Sequence, residues 1–205
     1  MGRSRLAAVL APVLGRVAAL RRGSAIHEVG TTYDAVVRTT GAGPGPFEVV
    51  GEQAVVVRVS RGLGLPPPWP DVVGLGIRLV GPTGPQDLLL DSCGRGRLTR
   101  HVPTLRRDLD RGPLGTLIAL RHGTTVFHVG AFPRGRSGAG RVLDLATAPP
   151  YGRWTTVGSL VFGAPTADQS VRLSPANSSL GVTLSPWWQQ LRVWSYRASR
   201  KGATR

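Results

Sequence analysis

Along residues 26–162, apolar residues recur in short runs of about five to fifteen, cut at close intervals by Gly and Pro. Runs at 26–40, 47–60, 72–80 and 86–91 are rich in Val, Thr, Ile and Leu. The sharpest is AVVVRVS at 54–60. They predict four strands in an antiparallel meander, joined by turns at 41–46 and 81–85 and by a proline-stiffened loop at 62–70. Residues 93–112 are polar and Arg-rich and follow no period. Residues 114–120 and 124–132 read as a hairpin around 121–123, and 134–140 as a flexible connection. Two further strands are expected at 141–148 and 153–162, with a short one at 170–173. Many short strands with regular turn signals predict one closed or nearly closed antiparallel barrel. A barrel of about eight strands holds side chains and one ligand at its mouth.

The two ends carry a different pattern. Residues 6–15, LAAVLAPVLG, lie between Arg3 and Arg5 on one side and Arg16, Arg21 and Arg22 on the other. Their outline suggests a signal peptide, but positive residues follow at once and no small-x-small cleavage site appears. The run is too short to span a bilayer. It predicts a short amphipathic helix kinked near Pro12, within a helical segment 1–23 that packs on the body or touches a membrane surface. From Trp187 a second helical pattern begins, with Trp188, Leu191, Trp194 and Ser195 on adjoining faces. The expected class is therefore α+β, mainly β: helix 1–23, then one barrel domain over 24–205 that closes with a C-terminal helix.

Composition supports strands over a helical bundle, since Gly 28 and Pro 17 together far exceed what helices tolerate and only 18% of residues are charged. The formal charge of +15 would ordinarily suggest nucleic acid. Here Lys201 is the only lysine and the Arg residues are scattered, a skew that a GC-rich genome produces by itself. Nucleic acid is not favoured. The five Trp suit core packing or a pocket wall better than stacking on bases. Cys93 is alone, which excludes a disulfide framework and Cys-based metal clusters and fits a reducing cytoplasm. His101, His122 and His128 make no zinc spacing and read as surface histidines. The chain has no nucleophile elbow, P-loop or dinucleotide fingerprint.

Candidate chemistry lies at both ends of the barrel region. Arg192 and Tyr196 are four apart, so a helix places them on one face, one turn from each other. A guanidinium beside a phenol oxygen favours the phenolate, and a phenolate can serve as an axial haem ligand. The surrounding residues Ser174, Pro175, Ala176, Asn177, Gly181, Ser185, Pro186, Arg192, Ser195, Tyr196, Arg200 and Gly202 stand in the order of the proximal segment of haem catalases. The stretch resembles that family. A second resemblance comes earlier: AIHEVG at 25–30, VVVRVS at 55–60, DVVGLGIR at 71–78 and DLLLDS at 87–92 follow the order of the family's distal motifs.

The resemblance implies a haem b cofactor with Tyr196 as the iron ligand and Arg192 supporting its phenolate. It implies that His27 is the distal acid–base residue and that Ser60 orients it. Arg58 would bind a haem propionate, Arg200 would belong to the cofactor site, and Asp91 falls where the family has its distal Asn. Chemically, a neutral imidazole held in one tautomer can take a proton from peroxide and return it to the leaving oxygen. Two departures matter. Ser24 stands where the family has a propionate Arg, for which Arg21 or Arg22 is a candidate substitute, and an ionised Asp91 can accept a hydrogen bond but not donate one. Residues 93–140 do not align. The expected function is peroxide- or hydroperoxide-dependent oxidation by a haem protein of the cytoplasm, with membrane association through helix 1–23 as a variant. The rivals are a haem-free binding module on the same fold and a hydrolase, such as a phosphodiesterase, using an Arg-rich pocket.

Overall fold

The structure is a computed structural model that describes residues 30–138 and 140–184. Among the described residues eleven strands form in chain order: β1 (Gly30–Thr40), β2 (Val50–Arg61), β3 (Asp71–Gly81), β4 (Gly84–Ser92), β5 (Leu105–Arg106), β6 (Leu114–Gly115), β7 (Leu120–His122), β8 (Thr125–Ser137), β9 (Gly140–Ala148), β10 (Thr155–Pro165) and β11 (Thr183–Leu184). Every pairing is antiparallel. The order β8-β6-β4-β3-β2-β1-β10-β9 returns to β8 through the β8–β9 pairing, which closes an eight-stranded barrel. Closure leaves no unpaired edge on the ring.

Period-two alternation explains the wall. In β2, Val55 and Val57 enter the core while Val56, Arg58 and Ser60 take the other face. The lumen is filled by side chains such as Val57, Leu75, Ile77, Leu90, Val129, Leu145 and Leu160. Each fully buried Val, Leu or Ile contributes about 1.5–3 kcal/mol. The connections stopper both ends. Phe47, in a 3-10 turn between β1 and β2, seals one end, and Leu109, in a 3-10 turn ahead of β6, seals the other. The wall also needs one close approach. A Cβ on Gly158 would lie 2.0 Å from the Arg38 carbonyl oxygen, so only glycine lets β10 reach β1 at the bulge beside it.

Several expectations are corrected here. No α-helix occurs among the described residues, whose only helical pieces are three 3-10 turns of three residues each, so the α+β class gives way to an all-β barrel. Segments 1–23 and 187–202, where the sequence places the two helices, lie outside the described residues. The expected strand 114–120 is two short strands, because β6 pairs with β4 while β7 turns back on β8. That hairpin turns at Gly123, whose φ of 56° is the left-handed region. The expected connection at 134–140 is the end of β8 running directly into β9. Residues 170–173 form no strand and instead cross the outside of the barrel as an irregular strap. No helix among the described residues is long and apolar enough to cross a membrane.

Candidate functional site

Ladder register decides which predicted residues meet. Ser60 pairs with Gly30 on one side and with Gly74 on the other, and Gly74 pairs with Asp91. Directly opposed residues share a face, so Ser60 and Asp91 stand on the outer face, two strand spacings or about 10 Å apart. Gly74 puts no side chain between them. Arg58 is two residues before Ser60 on the same face. Its guanidinium donates to the Gln169 carbonyl at 3.0 Å and reaches the Thr32 hydroxyl at 3.4 Å. His27, Arg192, Tyr196 and Arg200 lie outside the described residues.

The strap 166–182 is fastened to this same face. Gln169 takes the Thr32 N–H at 2.8 Å and donates back to the Thr32 carbonyl at 3.1 Å. Leu173 covers Gly76, where a Cβ would lie 2.3 Å from its Cδ1. The anchor is Asp87, buried in the wall of β4. Its carboxylate accepts from Arg78 Nε and Nη2 at 2.8 Å each, from the Ser174 N–H at 2.8 Å and from the Asn177 amide at 2.6 Å. Burial pushes the Asp87 carboxyl up, but the bonds from Arg78, Ser174 and Asn177 and the Arg78 charge together hold it below the usual carboxylate range. The turn containing Ser174, Pro175, Ala176 and Asn177 is thus tied to β4, which carries Asp91, and through Arg78 to β3, which lies between β4 and the strand of Ser60.

Beside Ser60, where β1 begins and β2 ends, the barrel rim opens a cavity of about 250 Å³ lined by Thr31, Tyr33, Val59, Val73, Arg107 and Leu109. A second cavity of about 270 Å³ lies outside β8, β9 and β10, between Arg95, Phe132, Asp144 and Trp154. Both are just under the roughly 300 Å³ at which sites for drug-sized ligands begin. Around the second lies a polar cluster that the sequence hid. His128 is fully buried, not at the surface, and its ring centre is 4.8 Å from that of His101. Each Nδ1 faces a carbonyl, His128 to Thr116 at 2.7 Å and His101 to Leu117 at 3.2 Å. Their Nε2 atoms are buried and make no hydrogen bond among the described residues. Burial pushes the His128 pKa down to about 4. Arg100, 1% exposed, stacks 4.3 Å over Trp154 and donates to the Gly152 carbonyl at 2.7 Å. These residues fall in or against the unaligned stretch 93–140, and their only sequence signal is polar type without period. Cys93 is buried nearby, and burial pushes its thiol up to about 11, so it is no nucleophile.

The described residues suit a haem in part. A hydroxyl that can orient an imidazole, a guanidinium that can meet a carboxylate and a side-chain-free position between Ser60 and Asp91 share one outer face; the lumen itself is filled. The distal imidazole and the axial phenolate fall outside the described residues. Among those residues no group of three or more His, Cys, Asp and Glu is placed to hold a metal ion. No family model matches the chain, and no curated protein matches it.

Proposed function

We propose that the chain is a haem-binding, catalase-like barrel protein that oxidises with hydrogen peroxide or an organic hydroperoxide. One observation carries this reading. Two stretches resembling catalase motifs from opposite ends of the chain, the strands with Arg58, Ser60 and Asp91 and the strap with Ser174 and Asn177, meet on one outer face. Haem, when bound, would supply the redox chemistry of its iron. The chain's own residues bind and orient. Arg58 would meet a propionate by charge, Ser60 would fix the tautomer of His27, and Tyr196 would hold the iron with Arg192 and Arg200 in support. His27 takes the peroxide proton and returns it to the leaving oxygen. Asp91, when ionised, offers peroxide no donor, so oxygen release from hydrogen peroxide is slow and hydroperoxide oxidation is the stronger activity.

Titration of the purified chain with hemin tests the reading. A Soret band with a phenolate charge-transfer feature is expected, and Tyr196→Phe shifts it. An unchanged spectrum in that variant removes Tyr196 as ligand. In an oxygen-electrode assay Asp91→Asn raises oxygen release. A specific feature favours a second reading, a haem-free module that binds a small ligand: the rim cavity brings Tyr33, Thr31 and Arg107 around apolar Val59 and Val73. Absence of any hemin spectrum selects that reading.

A further inference from the structure

Residues 63–69 read LGLPPPW, seven in a row without a charged side chain, and all seven are exposed. Leu63 is 42%, Leu65 39% and Trp69 65% accessible. A contiguous exposed apolar run of this kind marks an interaction surface. Its backbone is braced from beneath. Asp71, fully buried, accepts the Leu63 N–H at 2.7 Å and the Leu65 N–H at 3.0 Å on its two carboxylate oxygens. Arg61 donates to the Leu65 carbonyl at 2.7 Å and to the Trp69 carbonyl. Gly62 N–H closes the base on the Val72 carbonyl at 2.7 Å. Buried Asp71 and partly buried Arg61 satisfy the loop backbone from beneath and leave the apolar side chains exposed. Such a pre-shaped loop loses little freedom when its tips enter another phase.

Charge selects the occupant. Residues 61–70 contain no acidic side chain. The same Arg61 that holds Leu65 also reaches the carbonyl of exposed Arg107 at 3.5 Å, which sets Arg107 beside the loop. Leu105, 58% exposed, pairs across from Val72 at the loop's end. An apolar tip of Leu and Trp with Arg alongside is complementary to an anionic headgroup layer over hydrocarbon, where an indole seats its ring and its N–H at once. We propose that loop 62–70 docks the barrel on an anionic lipid bilayer, with Leu63, Leu65 and Trp69 entering the headgroup boundary. This proposal does not rest on the haem reading.

Co-sedimentation of the full chain with vesicles tests it. Vesicles containing phosphatidylglycerol should bind the protein, pure phosphatidylcholine should not, and raising salt from about 0.1 M to about 0.5 M should release it. The double variant Leu65→Ser, Trp69→Ala should lower the partition coefficient on the order of a hundredfold, and Arg107→Glu about tenfold or more. Val50→Ser, an exposed apolar position at the far end of β2, should change nothing. Brominated lipid should quench a part of the fluorescence that Trp69→Phe no longer shows. These side chains are exposed, so unchanged melting curves separate lost docking from lost folding. Failure to bind, equal binding of the double variant or equal binding to phosphatidylcholine overturns the proposal. So does a dimer that the double variant dissolves, which would make a second copy of the chain the occupant.

Discussion

His128 illustrates how much one buried side chain can govern. It lies on the outer face of β8, beneath the residues that bridge β4 and β6, with its ring against His101. Burial lowers its pKa to about 4; the Thr116 carbonyl opposes the shift, and the nearby His101 and Arg100 charges add to it. An unfolded imidazole titrates near 6.5. Between pH 6.5 and 4 the unfolded chain therefore binds a proton that the folded chain refuses. Stability must fall as the pH falls through that window, by roughly 3 kcal/mol in all. Urea midpoints at pH 7 and pH 4.5 measure this. In His128→Asn, which keeps a donor for the Thr116 carbonyl, the drop between the two pH values should shrink to a small residue; an undiminished drop would assign the acid sensitivity to other groups. Nothing local in the sequence marks His128 as buried. The ring packed against it is that of His101, whose neighbour Arg100 lies over Trp154 from far along the chain.

At the scale of elements, one buried carboxylate clamps the middle of the strap 166–182, between the Gln169–Thr32 bonds and the bonds of Gln86 to Asn177 and Val182. Asp87 gathers Arg78, Ser174 and Asn177 onto two oxygens. Removing one partner of a buried pair costs about 3–5 kcal/mol because the other charge stays buried. Asp87→Asn should therefore destabilise the chain by about 3 kcal/mol in urea unfolding. Amide exchange at Ser174 and Asn177 should quicken while Val57 and Leu160 keep their protection. A loss under about 1 kcal/mol would show that the strap is held by something else. Because the folded carboxyl titrates below the ordinary value of 3.8, the clamp's contribution is present above that pH and is lost as the pH falls below it. Residues 86–91 read as a strand from sequence alone, and β4 spans them, while Ser174 to Asn177 fold as a turn closed by the Asn177 N–H on the Ser174 carbonyl. Their meeting was not legible, since no local pattern links positions 87 and 174.

Across the whole molecule, ring closure makes one lumen shared by eight strands, so the core should fail as a unit. Leu160, fully buried in β10, touches the seam where β10 meets β1 and β9. Leu160→Ala should cost about 2–5 kcal/mol. Fluorescence and circular dichroism should still report one coincident transition; separate transitions would show that β8, β9 and β10 unfold apart from β1 to β4. Most strand positions and the hairpin turns were readable in the sequence, because period-two burial and Gly–Pro punctuation are properties of neighbouring residues. That a barrel was expected at all follows from the number and brevity of those runs. Closure is different. The β1–β10 and β8–β9 pairings, the choice of lumen face and the side on which Arg58, Ser60 and Asp91 stand depend on register, and a slip of one residue would turn every side chain over. The irregular stretch from Cys93 to Gly112 was opaque for the same reason: its contacts, such as Arg100 to Trp154 and to the Gly152 carbonyl, are long-range and impose no period. Local chemistry sets the elements; only tertiary closure decides which of their residues share a face.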